Sequence, residues 1–148
     1  MKKIVIIGAN DFQNQLILKA KEMGFETHVF AWQDGSIGER TADYFYPVSI
    51  VEIDEILEKC KEIKPDAVAT IASDLANITV SKVAAGLGLP GNTPECIEIS
   101  TNKYAMRSAF LKAGIPTPAF YKVDQVQDEL YKMKLPVIVK PTDRSGSR

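Results

Sequence analysis

Apolar residues fall along the chain in two alternating textures. The first is a short unbroken run, as in "KKIVIIGAND", "ETHVFAW" and "DAVATIA", which suits a strand buried on both faces, as parallel strands are. The second recurs every three or four residues: Phe12, Leu16, Ala20 and Met23, then Ile53, Ile56, Leu57, Cys60 and Ile63, then Ala76, Val80, Val83, Ala84 and Leu87. That period marks one face of a helix. Asn10 or Asp11, Ser49, and Ser73 or Asp74 are available as N-caps, and Gly24, Pro65 and Gly88 end the three patterns. Three strand-then-helix repeats predict a parallel sheet with right-handed crossovers, a Rossmann-like α/β domain.

The texture changes at "GNTPECIEIS", where Thr93 can cap a short helix whose first residue is Pro94. A domain boundary is placed near residue 100, giving a first domain over 1–100 and a second over 101–148. A helix is expected from about Asn102, with Met106, Ala109, Phe110 and Ala113 on one face and Gly114 as its stop. Beyond it, "AFYKV" and "PVIVK" read as strands flanking a helix with Val126, Leu130 and Met133 on its apolar face. Two strands alone are marginal in water. The second domain therefore reads as incomplete, and the chain as the front end of a longer protein.

Composition narrows the function classes. Hydrophobic residues make up 45% of the chain and charged residues 25%, which are ordinary values for a globular protein. A formal charge of -1 provides no broad field for nucleic acid or an anionic membrane, so neither is expected as a partner. The apolar run Ile4 to Ile7 is too short for a signal peptide core or a membrane span, which leads to a cytoplasmic assignment. Cys60 and Cys96 lie in helical patterns without C-x-x-C spacing and read as packed thiols; His28 is the only histidine, so a zinc site is not expected.

Candidate chemistry sits beyond the carboxyl ends of the strands, where ligands bind in open α/β sheets. A dinucleotide fingerprint would need three glycines in "GANDFQ" and only Gly8 complies. Nicotinamide binding is therefore disfavoured. Gly8, Asn10, Asp11, Ser73 and Asp74 are candidates for a polar substrate pocket on one rim of the sheet, with helix capping as the alternative role of the acidic and hydroxyl groups. The stretch from Trp32 to Gly38 reads as a flexible connection without chemistry. His28 reads as a structural histidine inside its strand. Lys103 stands in the first turn of a helix, where a cation is mildly unfavourable unless an anion binds beside it. Lys140 ends the run "PVIVK" and is followed by "PTDRSGSR", whose small residues, hydroxyls and guanidinium groups are suited to wrapping a polyphosphate.

"TNKYAMRSAFLKAGIPTP" and "LPVIVKPTDRSGSR" together resemble the opening helix and the strand and phosphate loop of the ATP-grasp superfamily, in its carbamoyl-phosphate-synthase-like branch. Residues 1 to about 100 look like the Rossmann-like domain that precedes it. The resemblance implies that Lys103, Lys140, Ser145, Gly146, Ser147 and Arg148 contact ATP, with magnesium ligands beyond residue 148 and none within the chain. It implies an ATP-dependent ligase that activates a carboxylate as an acyl phosphate for an amine-like nucleophile. Catalytic residues are not assigned. The 148 residues alone are expected to be inactive; a homodimer is allowed. The alternative is a nucleotide- or metabolite-binding module with the same fold and no reaction. "DRSGSR" stands where many relatives carry a longer glycine run, which stiffens the loop backbone.

Overall fold

A computed structural model describes residues 1–124 and 133–143. The chain divides into two compact units, Met1–Ile97 and Glu98–Arg148. The first is built on strands β1 (Lys3–Ile7), β2 (Glu26–Phe30), β3 (Tyr44–Tyr46) and β4 (Ala67–Ala69). They form one parallel sheet in the order β3-β2-β1-β4. Helices α1 (Asp11–Glu22), α2 (Ile37–Thr41), α3 (Ile53–Ile63) and α4 (Asp74–Gly86) connect and cover it.

The unbroken apolar runs are explained by burial on both sides. Val5, Ile7 and Phe30 point into a core shared with Ile56, Cys60, Ile63, Ala76 and Val83, while Ile4, Ile6, Val29 and Ala31 meet Ile17 and Ala20 of α1 on the other face. Gly24 and Gly88, at φ +80° and +67°, provide the left-handed turns that stop α1 and α4.

Several expectations are corrected. The α1 face is not Phe12, Leu16, Ala20 and Met23: Phe12 and Met23 are 64% and 63% exposed. The buried residues are Gln13, Asn14, Ile17 and Ala20. Two polar residues occupy the start of the inward stripe, so counting apolar positions alone shifts its phase by one. Strand β3 and helix α2 were not anticipated, because a three-residue strand and a five-residue helix are too short to show a period. Ser49 does not cap α3; Glu52 occupies that position without a side-chain hydrogen bond.

Cys96 is exposed rather than packed, whereas Cys60 is fully buried. Burial pushes the Cys60 thiol up to about 12, which removes its thiolate at neutral pH. A thiol reagent added at pH 8 is expected to modify Cys96 at once and Cys60 only after denaturation. Equal labelling rates in the native protein would contradict this packing.

Asp43 ties the β3 edge to its neighbours. Its carboxylate accepts from Lys21 Nζ at 2.7 Å and from Thr27 N and Oγ1 at 2.9 and 2.8 Å. The Lys21 bond, aided by Thr27, holds the carboxyl at about 2. A depressed folded value adds stability above the ordinary carboxylate range and loses it as pH falls toward 2. Asp43→Asn should therefore lower the urea midpoint at pH 7 and flatten its decline between about pH 4 and 2. A variant that tracks the wild type at both ends would show that the network contributes nothing.

In the second unit, α5 (Pro94–Thr101) runs across the division and α6 (Lys103–Lys112) follows. Thr93 Oγ1 accepts from Cys96 N at 3.2 Å. Asn102 Oδ1 caps α6 by accepting from Tyr104 N and Ala105 N, both at 3.0 Å, and Gly114 turns the chain away at φ +69°. Tyr104 and Phe120 meet edge to face with centroids 5.5 Å apart. Residues 119–123 and 137–140 do not form the expected strands. A strand exists through its ladder, and neither segment has a pairing partner among the described residues; Ile138 and Val139 are 82% and 72% exposed. Val126 and Leu130 of the expected intervening helix lie outside the described residues, and Met133 lies in a bend.

Candidate functional site

The loops beyond all four strands of the first unit line a half-open cleft of about 190 Å³. Its position follows from the topology: parallel strands deliver their carboxyl ends to one edge, and each is followed by a turn into a helix. Gly8 makes the tightest of these turns at φ +100°. A Cβ there would stand 3.0 Å from Gln13 Cδ, so glycine is required both by conformation and by the close approach of Gln13.

Gln13 is 1% exposed. Its Nε2 donates to the Ile71 carbonyl at the end of β4, while its Oε1 is buried without a partner among the described residues. Buried amide oxygens are normally hydrogen-bonded, and leaving one unsatisfied costs about 1–3 kcal/mol. Ala72, a non-glycine at φ +55°, makes the next turn and delivers Ser73 to cap α4. Backbone strain at Ala72 and the orphan acceptor of Gln13 thus lie at the same rim.

On the β2 side the cleft is lined by Ala31, Trp32, Asp34 and Ser36. Here the Glu39 carboxylate, through Oε1, accepts from three successive amides, Asp34 N at 2.9 Å, Gly35 N at 2.6 Å and Ser36 N at 3.1 Å. Asp34 Oδ1 accepts from both the hydroxyl and the amide of Ser36, bonds that hold its carboxyl below the usual range.

Of the residues singled out from sequence, Gly8, Asn10 and Ser73 line this cleft. Asn10 Oδ1 caps α1 through Phe12 N at 2.9 Å, and Ser73 Oγ caps α4 through Ala76 N at 3.2 Å. Asp11 and Asp74 sit in the first turns of α1 and α4 and are not among the lining residues. The cleft also recruits Gln13, Trp32, Asp34, Ser36 and Ser49; the Trp32–Gly38 stretch is thus not a flexible connection, because Glu39 holds its turn and α2 begins at Ile37. For Gln13 a signal was present: it sits where the apolar stripe of α1 should begin. His28 lies elsewhere, 4% exposed, bonded to Glu26 Oε1 at 2.8 Å and Tyr46 Oη at 3.0 Å, as a structural histidine would be.

In the second unit Lys103 opens α6, and its amide donates to the Thr142 carbonyl at 2.7 Å. That bond fixes the start of α6 beside the segment that carries Lys140, which is exposed. Ser145, Gly146, Ser147 and Arg148 lie outside the described residues. Among the described residues no group of three or more His, Cys, Asp or Glu could hold a metal ion, and no helix is long and apolar enough to cross a membrane.

No family model matches the chain. Its fold is shared by a phosphoribosylglycinamide synthetase from Anaerococcus prevotii, with a TM-score of 0.73 and 30% identity over 96% of this chain and 37% of that one. It is also shared by an L-amino acid ligase from Bacillus licheniformis, with a TM-score of 0.83 and 25% identity over 97% of this chain and 38% of that one. The chain belongs to the ATP-grasp superfamily. A curated ATP-grasp relative, the formate-dependent phosphoribosylglycinamide formyltransferase of Prochlorococcus marinus, is 22% identical over 152 aligned residues, 99% of this chain and 39% of that protein. The chain thus spans well under half the length of the ATP-grasp relatives it matches.

Proposed function

We propose that the chain is the amino-terminal portion of an ATP-grasp ligase of the carbamoyl-phosphate-synthase-like branch. Such an enzyme phosphorylates a carboxylate and passes the acyl group to an amine-like nucleophile. The observation that carries this reading is the likeness to a synthetase at 30% identity across 96% of the chain. In this reading residues 1–100 are the Rossmann-like domain preceding the ATP-grasp domain and residues 101–148 begin the latter.

Lys103 and Lys140 contact the nucleotide phosphates, and the Lys103–Thr142 backbone bond supports their working together by bringing the start of one element to the segment carrying the other. Ser145, Gly146, Ser147 and Arg148 close over the same phosphates. Two ammonium groups and loop amides stabilise charge on the transferring phosphoryl group, the dominant catalytic effect in phosphoryl transfer. Magnesium, held by groups outside this chain, would add to that stabilisation. The cleft around Gly8, Asn10 and Ser73, with Asp11 and Asp74 nearby, holds the small-molecule substrate, and the protein acts in the cytoplasm.

The test is ADP release by the full-length protein across a panel of carboxylates and amines. Release that requires one member of each class supports the ligase; nucleotide binding with no release under any pairing favours a binding module instead.

A further inference from the structure

The chemistry of the cleft in the first unit points to the kind of substrate it takes. Three sets of backbone N–H groups at its rim are already bonded from within the protein. Asn10 Oδ1 takes those of Phe12 and Gln13, Ser73 Oγ takes that of Ala76, and Glu39 Oε1 takes those of Asp34, Gly35 and Ser36. Part of the usual means by which a helix start or a turn grips a phosphate is thereby occupied. Among the described residues no Lys, Arg or His lines the cleft.

Two of its side-chain acceptors, by contrast, have capacity left. Gln13 Oε1 is buried without a partner. Asp34 receives both Ser36 donors on Oδ1, which leaves Oδ2 without a partner among the described residues. Trp32 lines the same cleft with its side chain exposed, and an indole face attracts a cation. A phosphate here would meet a carboxylate and an orphan carbonyl oxygen, with nothing to balance its charge. At about 190 Å³ the cleft has room for a small head group.

We propose that this cleft binds the ammonium group of a small amine-bearing substrate, with Gln13 Oε1 and the Asp34 carboxylate accepting its N–H bonds, and that it excludes phosphorylated head groups. The proposal rests on the reading of the cleft as the substrate site and adds the class of substrate. A protonated amine has no lone pair, so at this cleft the ammonium serves as a recognition handle.

The test is titration of the isotope-labelled full chain with ethanolamine and, separately, with ribose 5-phosphate and inorganic phosphate, following the Gly8 amide and the Gln13 side-chain amide by NMR. Ethanolamine should shift both signals and the two phosphates neither. Asp34→Asn, at an exposed position that leaves the core intact, should weaken ethanolamine binding about tenfold, and Gln13→Leu by a similar factor if the variant folds. Phosphate binding at these signals would overturn the charge preference while keeping the cleft as a substrate site. No response to any of the three compounds would overturn both the proposal and the substrate-site reading.

Discussion

Gly38→Ala is expected to lower the stability of the first unit by about 2–3 kcal/mol, the upper part of the roughly 1–3 kcal/mol range for overpacking. In an ordinary helix the same change would stabilise by up to about 1 kcal/mol, because glycine is a poor helix former. At Gly38 the geometry decides the sign. A Cβ would lie 2.5 Å from the Ala9 carbonyl oxygen and 2.8 Å from Ala9 Cα, and these are backbone atoms that cannot swing away. The Gly38 amide also donates to that carbonyl at 2.9 Å, so relieving the clash breaks the bond. The urea midpoint should fall by roughly 1–2 M. Gly86→Ala provides the control, since its Cβ would meet only the ends of the Leu57 side chain at 2.8 Å, which can turn aside; that variant should stay within about 1 kcal/mol of the wild type. If the two alanine variants unfold at the same urea concentration, the close approach of α2 to the Gly8–Ala9 turn is not a real constraint.

Lys140→Ala in the full-length protein is expected to weaken ATP binding about ten- to a hundredfold. A charge-assisted hydrogen bond contributes roughly 1.5–3 kcal/mol, and each 1.4 kcal/mol is a factor of ten. Lys140 is exposed and no hydrophobic core depends on it, so the loss should appear in nucleotide affinity with the thermal midpoint of the free protein unchanged. Equilibrium titration with ATP in the presence of magnesium measures the first, and a melting curve without nucleotide the second. Unaltered ATP affinity would remove this lysine from the phosphate site.

Much of this architecture can be read from residues alone, and the reason is burial. Ile4 to Ile7 and His28 to Phe30 are packed from both faces, so selection for apolar side chains leaves unbroken runs that identify strands without any alternation. The caps at the starts of α1 and α4 are legible to within one residue, as Asn10 or Asp11 and Ser73 or Asp74, and the structure selects Asn10 and Ser73, because a short polar side chain is the usual means of satisfying the first free amides of a helix. What escaped is what periodicity cannot encode. Tyr44–Tyr46 is a strand only because His28, Val29 and Phe30 lie beside it, and "AFYKV" has strand composition without a ladder. The site was half legible: Gly8, Asn10 and Ser73 follow from strand ends, whereas Gln13 and Asp34 matter through contacts made across the fold. Gln13 acquires its role from Ile71, 58 residues away.

The three amides gathered by Glu39 have one more effect. Because a carboxylate from the protein itself holds the Asp34–Ser36 turn in shape, Asp34 and the turn around it are set before any guest arrives. For the proposed amine site, little ordering entropy would remain to be lost on association. Rigidity of the doorway, more than the number of contacts inside it, is what this arrangement would contribute to affinity there.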